Sequence, residues 1–297
     1  MGLLPTKVNI MIASSELIIN ADGSCFHLHL RPEQLADKIV MCGDPDRVTM
    51  IASFFDSKEF DIQSREFHSI TGTYKGKRIT ALSHGIGPDN IDIVVNELDA
   101  LANIDFQTRE IKSEHRTLEM VRIGSCGGLQ PYVPVGSSIV SEVSIGFDGV
   151  LNWYADRDKV SDLEFEKALV EYIGYPQKAA APYVVKADEG LASRIGGSDM
   201  VRGVTISAVG FYGPQGRVLR LPIAVPDINQ RIESFTFAGR SITNYEMESA
   251  PLAGFAHLLG HKAVTVCSVV ANRVSLNTNV NYKDAMRSLI ATVLDRI

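Results

Sequence analysis

Cysteine is scarce in this sequence. Four residues in 297, Cys25, Cys42, Cys126 and Cys267, are widely scattered, with no C-x-x-C pair and no histidine spacing that would complete a zinc site. A disulfide scaffold is not indicated, and the pattern reads as reduced thiols in a cytoplasmic protein. No apolar run approaches the roughly 20 residues that cross a bilayer, so no membrane partner is expected. Basic clusters are missing too: 29 Lys+Arg stand against 35 Asp+Glu, a formal net charge of -6, which argues against a nucleic-acid partner. Internal repeats, low-complexity tracts and long Pro/Gly/Ser linkers are absent, which favours one domain over two. Several enzyme signatures are also missing. The glycines after Ser83 (G-I-G-P-D-N) and after Ile123 (G-S-C-G-G) have the wrong spacing for a dinucleotide fingerprint, and there is no Walker A loop, HExxH or GxSxG. His27 and His29 are spaced like two metal ligands, but no third ligand is near, and alternation along a strand explains them better. No metal is expected.

What is present is a globular composition, 45% hydrophobic and 22% charged, with short apolar runs alternating with amphipathic stretches. Strands are predicted at Ile39–Cys42, Ile79–Ser83, Met120–Gly124, Ser138–Val143, Val204–Val209 and Ala263–Val270. Several are continuously apolar, as a strand buried on both faces requires. Helical periodicity places Ile91, Val94, Val95, Leu98 and Leu101 on one face of 90–101, and Phe165, Leu169, Tyr172 and Ile173 on one face of 162–173, with Gly174 placed to end it. A last apolar stripe runs from Ala285 to Ile297. The alternation predicts an α/β fold, helices on both faces of a mixed sheet. Residues 1–24 lack such patterning and read as a poorly ordered tail before a domain at 25–297. Interrupted by Lys7 and Glu16, that tail makes a poor signal peptide.

Three turns are suited to an anion. At Cys42-Gly43-Asp44-Pro45-Asp46-Arg47 an apolar strand gives way to an amphipathic stretch. Gly43 allows close backbone approach, a helix N-terminus offers free N–H groups, and Arg47 adds a guanidinium fork; a plain turn capped by Asp44 fits equally. Arg122-Ile123-Gly124-Ser125-Cys126-Gly127-Gly128 sets an arginine in an apolar strand, where it needs a bound anion or a structural carboxylate. Arg65, in Arg65-Glu66-Phe67, is the third candidate, or half of a surface pair. Further on, the carboxylates of Asn244-Tyr245-Glu246-Met247-Glu248 cap a helix or accept hydrogen bonds from sugar hydroxyls. Phe211-Tyr212-Gly213-Pro214-Gln215-Gly216-Arg217 combines an amide and a guanidinium that match the edge of a planar heterocycle, or forms a solvated turn.

In chain order, GDPDR, REF, RIGSCGG, FYGPQGR, NYEMES and VVANR resemble the nucleoside phosphorylases of the type that includes uridine phosphorylases and hexameric-type purine nucleoside phosphorylases, most closely the uridine-cleaving members. The likeness runs from about Phe26 to the C-terminus. It implies a single α/β domain around a mixed, partly barrel-like sheet, and reversible phosphorolysis of uridine to uracil and ribose 1-phosphate, with inorganic phosphate as co-substrate and no cofactor. It implies phosphate at Gly43, Arg47, Arg122 and Ser125, joined by Arg65 from a neighbouring subunit. Ribose would lie against Met247 and Glu248, with His27 also from the neighbour. Uracil would meet Gln215 and Arg217, lined by Phe211, Cys126 and Gly127, with Arg273 close to the base. Arg122, Gln215 and Arg217 would carry the chemistry, and two borrowed residues per site make a homodimer the minimal active unit.

The chemistry of the residues agrees with that resemblance. Phosphate is itself a nucleophile, so no Ser, Cys or His nucleophile is required; the site has to hold it below C1′ and stabilise charge on the departing base. Purine-cleaving relatives carry an Asp near the position of Asn272, and its absence favours pyrimidines. After Ser83-His84-Gly85-Ile86-Gly87 this chain has Asp89 and Asn90 where the family has Pro or Ala and then Ser, a departure that points away from the bacterial cation site and hexamer. Thymidine or deoxyuridine as substrate, and a non-catalytic nucleoside-binding protein, are the alternatives.

Overall fold

The predicted strands are apolar on both faces because both faces are covered. In β1 (Lys38–Cys42), Met41 joins a core on one side of the sheet while Val40 and Cys42 join a second core on the other; in the neighbouring Glu119–Gly128 strand, Met120 divides from Val121 and Ile123 in the same way. The computed structural model describes residues 11–275, 277–278 and 282–297. The remaining strands are β2 Ser57–Ser64, β3 Phe67–Tyr74, β4 Lys77–Ser83, β5 Ile104–Asp105, β6 Glu110–Ile111, β7 Glu119–Gly128, β8 Ser138–Gly146, β9 Tyr183–Lys186, β10 Val201–Ser207, β11 Thr236–Phe237, β12 Arg240–Glu246, β13 Lys262–Asn272 and β14 Asn277–Thr278. The helices are α1 Pro45–Ala52, α2 Pro88–Asn103, α3 Leu163–Ile173, α4 Glu189–Gly196, α5 Ile228–Ser234, α6 Ser249–Leu259 and α7 Lys283–Arg296.

Along the main sheet the order is β11-β12-β10-β8-β13-β7-β1-β4-β3-β2. β12 pairs with β10 on one side and with β7 on the other, so β12, β10, β8, β13 and β7 close on themselves. The fold is a single α/β domain with a mixed sheet partly closed as a barrel. β4, β1, β7 and β13 are mutually parallel, and their C-terminal ends open at one edge, where ligands of α/β sheets bind.

Helix ends follow the sequence closely. Asp44 accepts from the Asp46 N–H and caps α1, Asp162 accepts from the Phe165 N–H and caps α3, and Gly174 takes the left-handed conformation that ends α3. α6 is apolar all round, and it is buried between the sheet and α2.

Three expectations need correction. The strand predicted at Val204–Val209 is Val201–Ser207, and Ala208 and Val209 already lead into the next loop. His27 and His29 lie in a tight turn rather than a strand: His29 has φ 54°, its N–H donates to the Cys25 carbonyl, and the N–H groups of His27 and Leu28 donate to Glu97. Of the expected tail, residues 1–10 lie outside the described residues. Residues 11–24 are seated on the body, through Ile12 N–H to the Arg109 carbonyl, Arg109 to the Leu17 carbonyl and a bridge from Ile19 to Cys25.

Candidate active site

Seven chain segments far apart in sequence, Val270–Ala271 of β13 and Tyr282 among them, meet at one cavity of about 560 Å³ at the C-terminal edge of the sheet. Gly43 follows β1, Gly85 follows β4, Ser125 to Gly127 end β7, and Glu246 to Glu248 join β12 to α6. The loop after β10 contributes Phe211, Gln215 and Arg217. Of the residues singled out from sequence, Gly43, Arg47, Arg122, Ser125, Cys126, Gly127, Phe211, Gln215, Arg217, Met247 and Glu248 all line it.

One end of the cavity is a buried charge network. Arg122 is 4% exposed. Its Nη1 donates to Glu246 Oε2 at 2.8 Å, its Nη2 to Glu248 Oε2, and its Nε to His84 Nε2 at 3.1 Å. Sequence reasoning left a bound anion and a structural carboxylate as alternatives here; the structure supplies two carboxylates and still sets the guanidinium in the cavity wall. Burial works against the charge of Arg122, but Glu248 and Glu246 more than offset it and hold its pKa above the ordinary arginine value. Burial raises the Glu248 carboxyl, opposed by Arg122 and assisted by Glu246. Glu248 Oε1 also accepts from the Gly87 N–H at 2.8 Å, and Glu246 is fixed by Ser207 and by the N–H groups of Glu248 and Ser249.

Glycine is required twice in this wall. A Cβ on Gly43 would lie 2.9 Å from the Gly85 carbonyl oxygen, and one on Gly124 would lie 2.7 Å from Arg122 Nη1. Beside them Arg47 donates to the Ile123 carbonyl at 3.2 Å. Cys126 faces the cavity, but burial pushes its thiol well up, and Cys42 is raised to about 12 for the same reason. Neither thiol is a nucleophile at neutral pH.

The other end is one short loop folded on itself. Arg217 stacks its guanidinium 3.7 Å over the Phe211 ring and donates to the Phe211 carbonyl and to Gln215 Oε1, both at 2.5 Å. Gln215 is buried in the cavity wall, and because its oxygen receives Arg217, its Nε2 is left as a donor. Burial, then Arg273, lowers Arg217 to about 10, so it stays charged at neutral pH. Arg273 lies behind this loop, its Nη1 donating to the Gln215 carbonyl and its guanidinium 5.2 Å over Tyr245. It lines an adjacent groove with Phe211 and Arg217 rather than the cavity itself. Asn272 points away altogether: its Nδ2 donates to the Gln130 and Val133 carbonyls and its Oδ1 accepts from Val274 and Ser275.

Arg65 and His27 are absent from the cavity wall. They sit together elsewhere, Arg65 exposed with φ 55° and its guanidinium 5.6 Å over the Phe26 ring, and His27 Nδ1 2.6 Å from Glu97 Oε1. Of the two readings of Glu246 from sequence, a helix cap or a partner of sugar hydroxyls, the first holds, since it accepts from the N–H groups that open α6; its pairing with Arg122 was not foreseen, and His84 was read only as part of a glycine turn. The signal for Glu246 was its place two residues before Glu248 at the buried end of β12, where a carboxylate needs a cation or N–H partners.

Asp99, His115 and His261 bring one ligand atom each within 4.8 Å of one another. The Leu118 N–H donates to His261 Nδ1, which leaves Nε2 protonated and donating to Asp99, and His115 Nε2 donates to the Leu259 carbonyl. His115 Nδ1 in turn faces the Thr117 hydroxyl at 3.3 Å, so every ring nitrogen of the two imidazoles is engaged in tying loops together.

The family follows from comparison: residues 37–295 match the phosphorylase superfamily, and the chain belongs to it. It is 30% identical over 270 residues to the uridine phosphorylase of Thermococcus kodakarensis, covering 88% of this chain and 82% of that one. To the uridine phosphorylase of Escherichia coli it is 31% identical over 259 residues, covering 84% and 86%. Among solved structures, a Trypanosoma brucei nucleoside phosphorylase described as showing uridine phosphorylase activity superposes with a TM-score of 0.86, at 28% identity over 94% of this chain and 98% of that one.

Proposed function

We propose that this chain is a uridine phosphorylase, cleaving uridine with inorganic phosphate to uracil and ribose 1-phosphate, reversibly. The observation that carries the reading is the Gln215–Arg217 clamp facing the same cavity as Arg122, Ser125 and Gly43. Hydrogen-bond donors for pyrimidine carbonyls thus stand at one end and an anion cradle at the other, with Met247 and Glu248 in the same wall for the ribose. A phosphate oxygen attacks C1′, the C1′–N1 bond breaks, and its electron pair moves into the uracil ring and carbonyls. Arg217 and Gln215 stabilise that developing charge while Arg47 and Arg122 hold the nucleophile. Phosphate is the second substrate, and the reaction calls for no cofactor.

The active unit we propose is a homodimer. Arg65 and His27 share one surface and stay off their own cavity, which supports lending both to a neighbour's phosphate and ribose. Four unpaired cysteines, all buried, suit a reducing cytoplasm and a role in pyrimidine salvage, and no described helix is long and apolar enough to cross a membrane. Purified protein with phosphate is expected to consume uridine far faster than inosine or adenosine, with thymidine and deoxyuridine in the same panel; no phosphate-dependent loss of uridine would refute the reading. Co-expressing Arg65→Ala with Arg217→Leu tests the dimer, since each alone is inactive and only mixed dimers hold one intact site. About a quarter of wild-type activity is the ceiling for random pairing, and no recovery contradicts a shared site.

A further inference from the structure

Arg122 could be held by carboxylates alone, yet its third face is held by a histidine. His84 follows the last residue of β4 and is fully buried. Its backbone N–H donates to the Cys42 carbonyl at 2.8 Å, which ties it to the end of β1, and its ring edge lies 3.8 Å from the place a Cβ on Gly43 would occupy. Its Nε2 accepts from Arg122 Nε at 3.1 Å. Accepting a hydrogen bond there requires a bare Nε2, so the ring is neutral with its proton on Nδ1. Among the described residues Nδ1 finds no hydrogen-bond partner of normal geometry. Burial, then Arg122, holds the ring pKa well below the ordinary histidine value, which keeps Nε2 free of a proton.

We propose that His84 is a positioning residue for phosphate: by accepting from Arg122 Nε it fixes the plane of the guanidinium and couples it to the Gly43 turn. The proposal rests on the phosphorolytic reading of the site. The charge balance explains why the acceptor is neutral. Arg122 already faces Glu246 and Glu248, two negative charges against one positive. A third carboxylate would repel the incoming phosphate, whereas an imidazole satisfies Nε and adds no charge. His84 is absent from the cavity wall, so its effect passes through Arg122 and Gly43.

Glutamine and asparagine substitutions separate this role from simple packing. In His84→Gln the new amide oxygen can stand where Nε2 stands, while in His84→Asn the shorter side chain reaches only the Nδ1 position, away from Arg122. The experiment measures binding of inorganic phosphate by calorimetry, KM for phosphate and for uridine, kcat and the thermal midpoint in wild type, His84→Ala, His84→Gln and His84→Asn. His84→Ala and His84→Asn are expected to weaken phosphate binding about ten-fold, the loss expected for one hydrogen bond to a charged group. KM for uridine should stay within about two-fold, and His84→Gln should recover most of the loss. Should His84→Ala fail to fold, the Gln and Asn variants decide. Equal behaviour of Gln and Asn, equal effects on both substrates, or no change in phosphate binding would overturn the proposal. Wild-type protein that cleaves no uridine with phosphate would instead overturn the reading on which it rests.

Discussion

The two ends of the cavity are built in opposite ways. The anion end is assembled from the ends of β1, β4, β7 and β12, its side chains are almost wholly buried, and each charge on Arg122, Glu246 and Glu248 is answered by another. Its contacts join residues as much as 161 positions apart. The base end is seven consecutive residues with exposed Phe211 and Tyr212, held by bonds from Arg217 and Arg273 back onto the loop. In the proposed reaction phosphate presents the same oxygens whatever the nucleoside, so its cradle can be rigid and part of the core. A base differs between substrates, and a loop can change without disturbing the barrel. Stability and specificity therefore depend on different residues of one cavity.

Substitutions at the two ends should fail differently. Arg122→Ala strands two buried carboxylates, and breaking a buried pair in this way costs about 3–5 kcal/mol. A large fall in the urea midpoint together with loss of turnover is expected; an unchanged midpoint would show that the network bears no structural weight. Arg217→Leu should lower kcat about 10²–10³-fold, the cost of one donor to developing charge, with phosphate binding and urea midpoint unchanged. A matching fall in stability would erase the contrast between the ends. Asn272→Asp removes two donors to carbonyls and buries a charge beside them, so about 2–4 kcal/mol of stability should be lost. No gain of inosine cleavage should accompany it, because the side chain points away from the cavity.

The smallest effect is expected outside both ends, at Asp148, which accepts from Tyr183 and the Val150 N–H. Burial raises its carboxyl to about 6, against 3.8 for a free aspartate. Between about pH 4 and 6 the folded chain therefore binds more protons than the unfolded one. Stability from this group falls as pH rises through that window and is flat above it, a change of at most about 3 kcal/mol. Asp148→Asn should remove this slope, as followed by urea unfolding from pH 4 to 7. A slope that persists would assign it to another carboxylate, with Glu248 the first to test.

How much of this was legible in the sequence divides along the same line. Continuous apolar runs mark β1, β4, β7, β8 and β13 because burial on both faces removes alternation, and Asp44, Asp162 and Gly174 mark helix ends through local hydrogen bonding and backbone conformation. The base loop was legible as a segment because Phe211, Gln215 and Arg217 are neighbours in sequence; its ties to Arg273 and Asn229 were not. Partnerships at the anion end were not: nothing local in Arg122 points to Glu246, Glu248 or His84, which the closed sheet brings to it. His27 and His29 misled because their spacing has the period of a strand, whereas Glu97, 70 residues away, satisfies the N–H groups of a turn. Asn272 showed from sequence what it is not, an acid, but only the structure shows its amide tying down the 130–133 loop.

In the proposed reaction the two ends act on one glycosidic bond, with phosphate as the nucleophile. Phosphorus NMR of a uridine and phosphate mixture, read alongside uracil release, tests it most directly. One ribose 1-phosphate should appear for each uracil, at a rate that saturates with phosphate. Release of uracil with free ribose, at a rate indifferent to phosphate, would contradict the account.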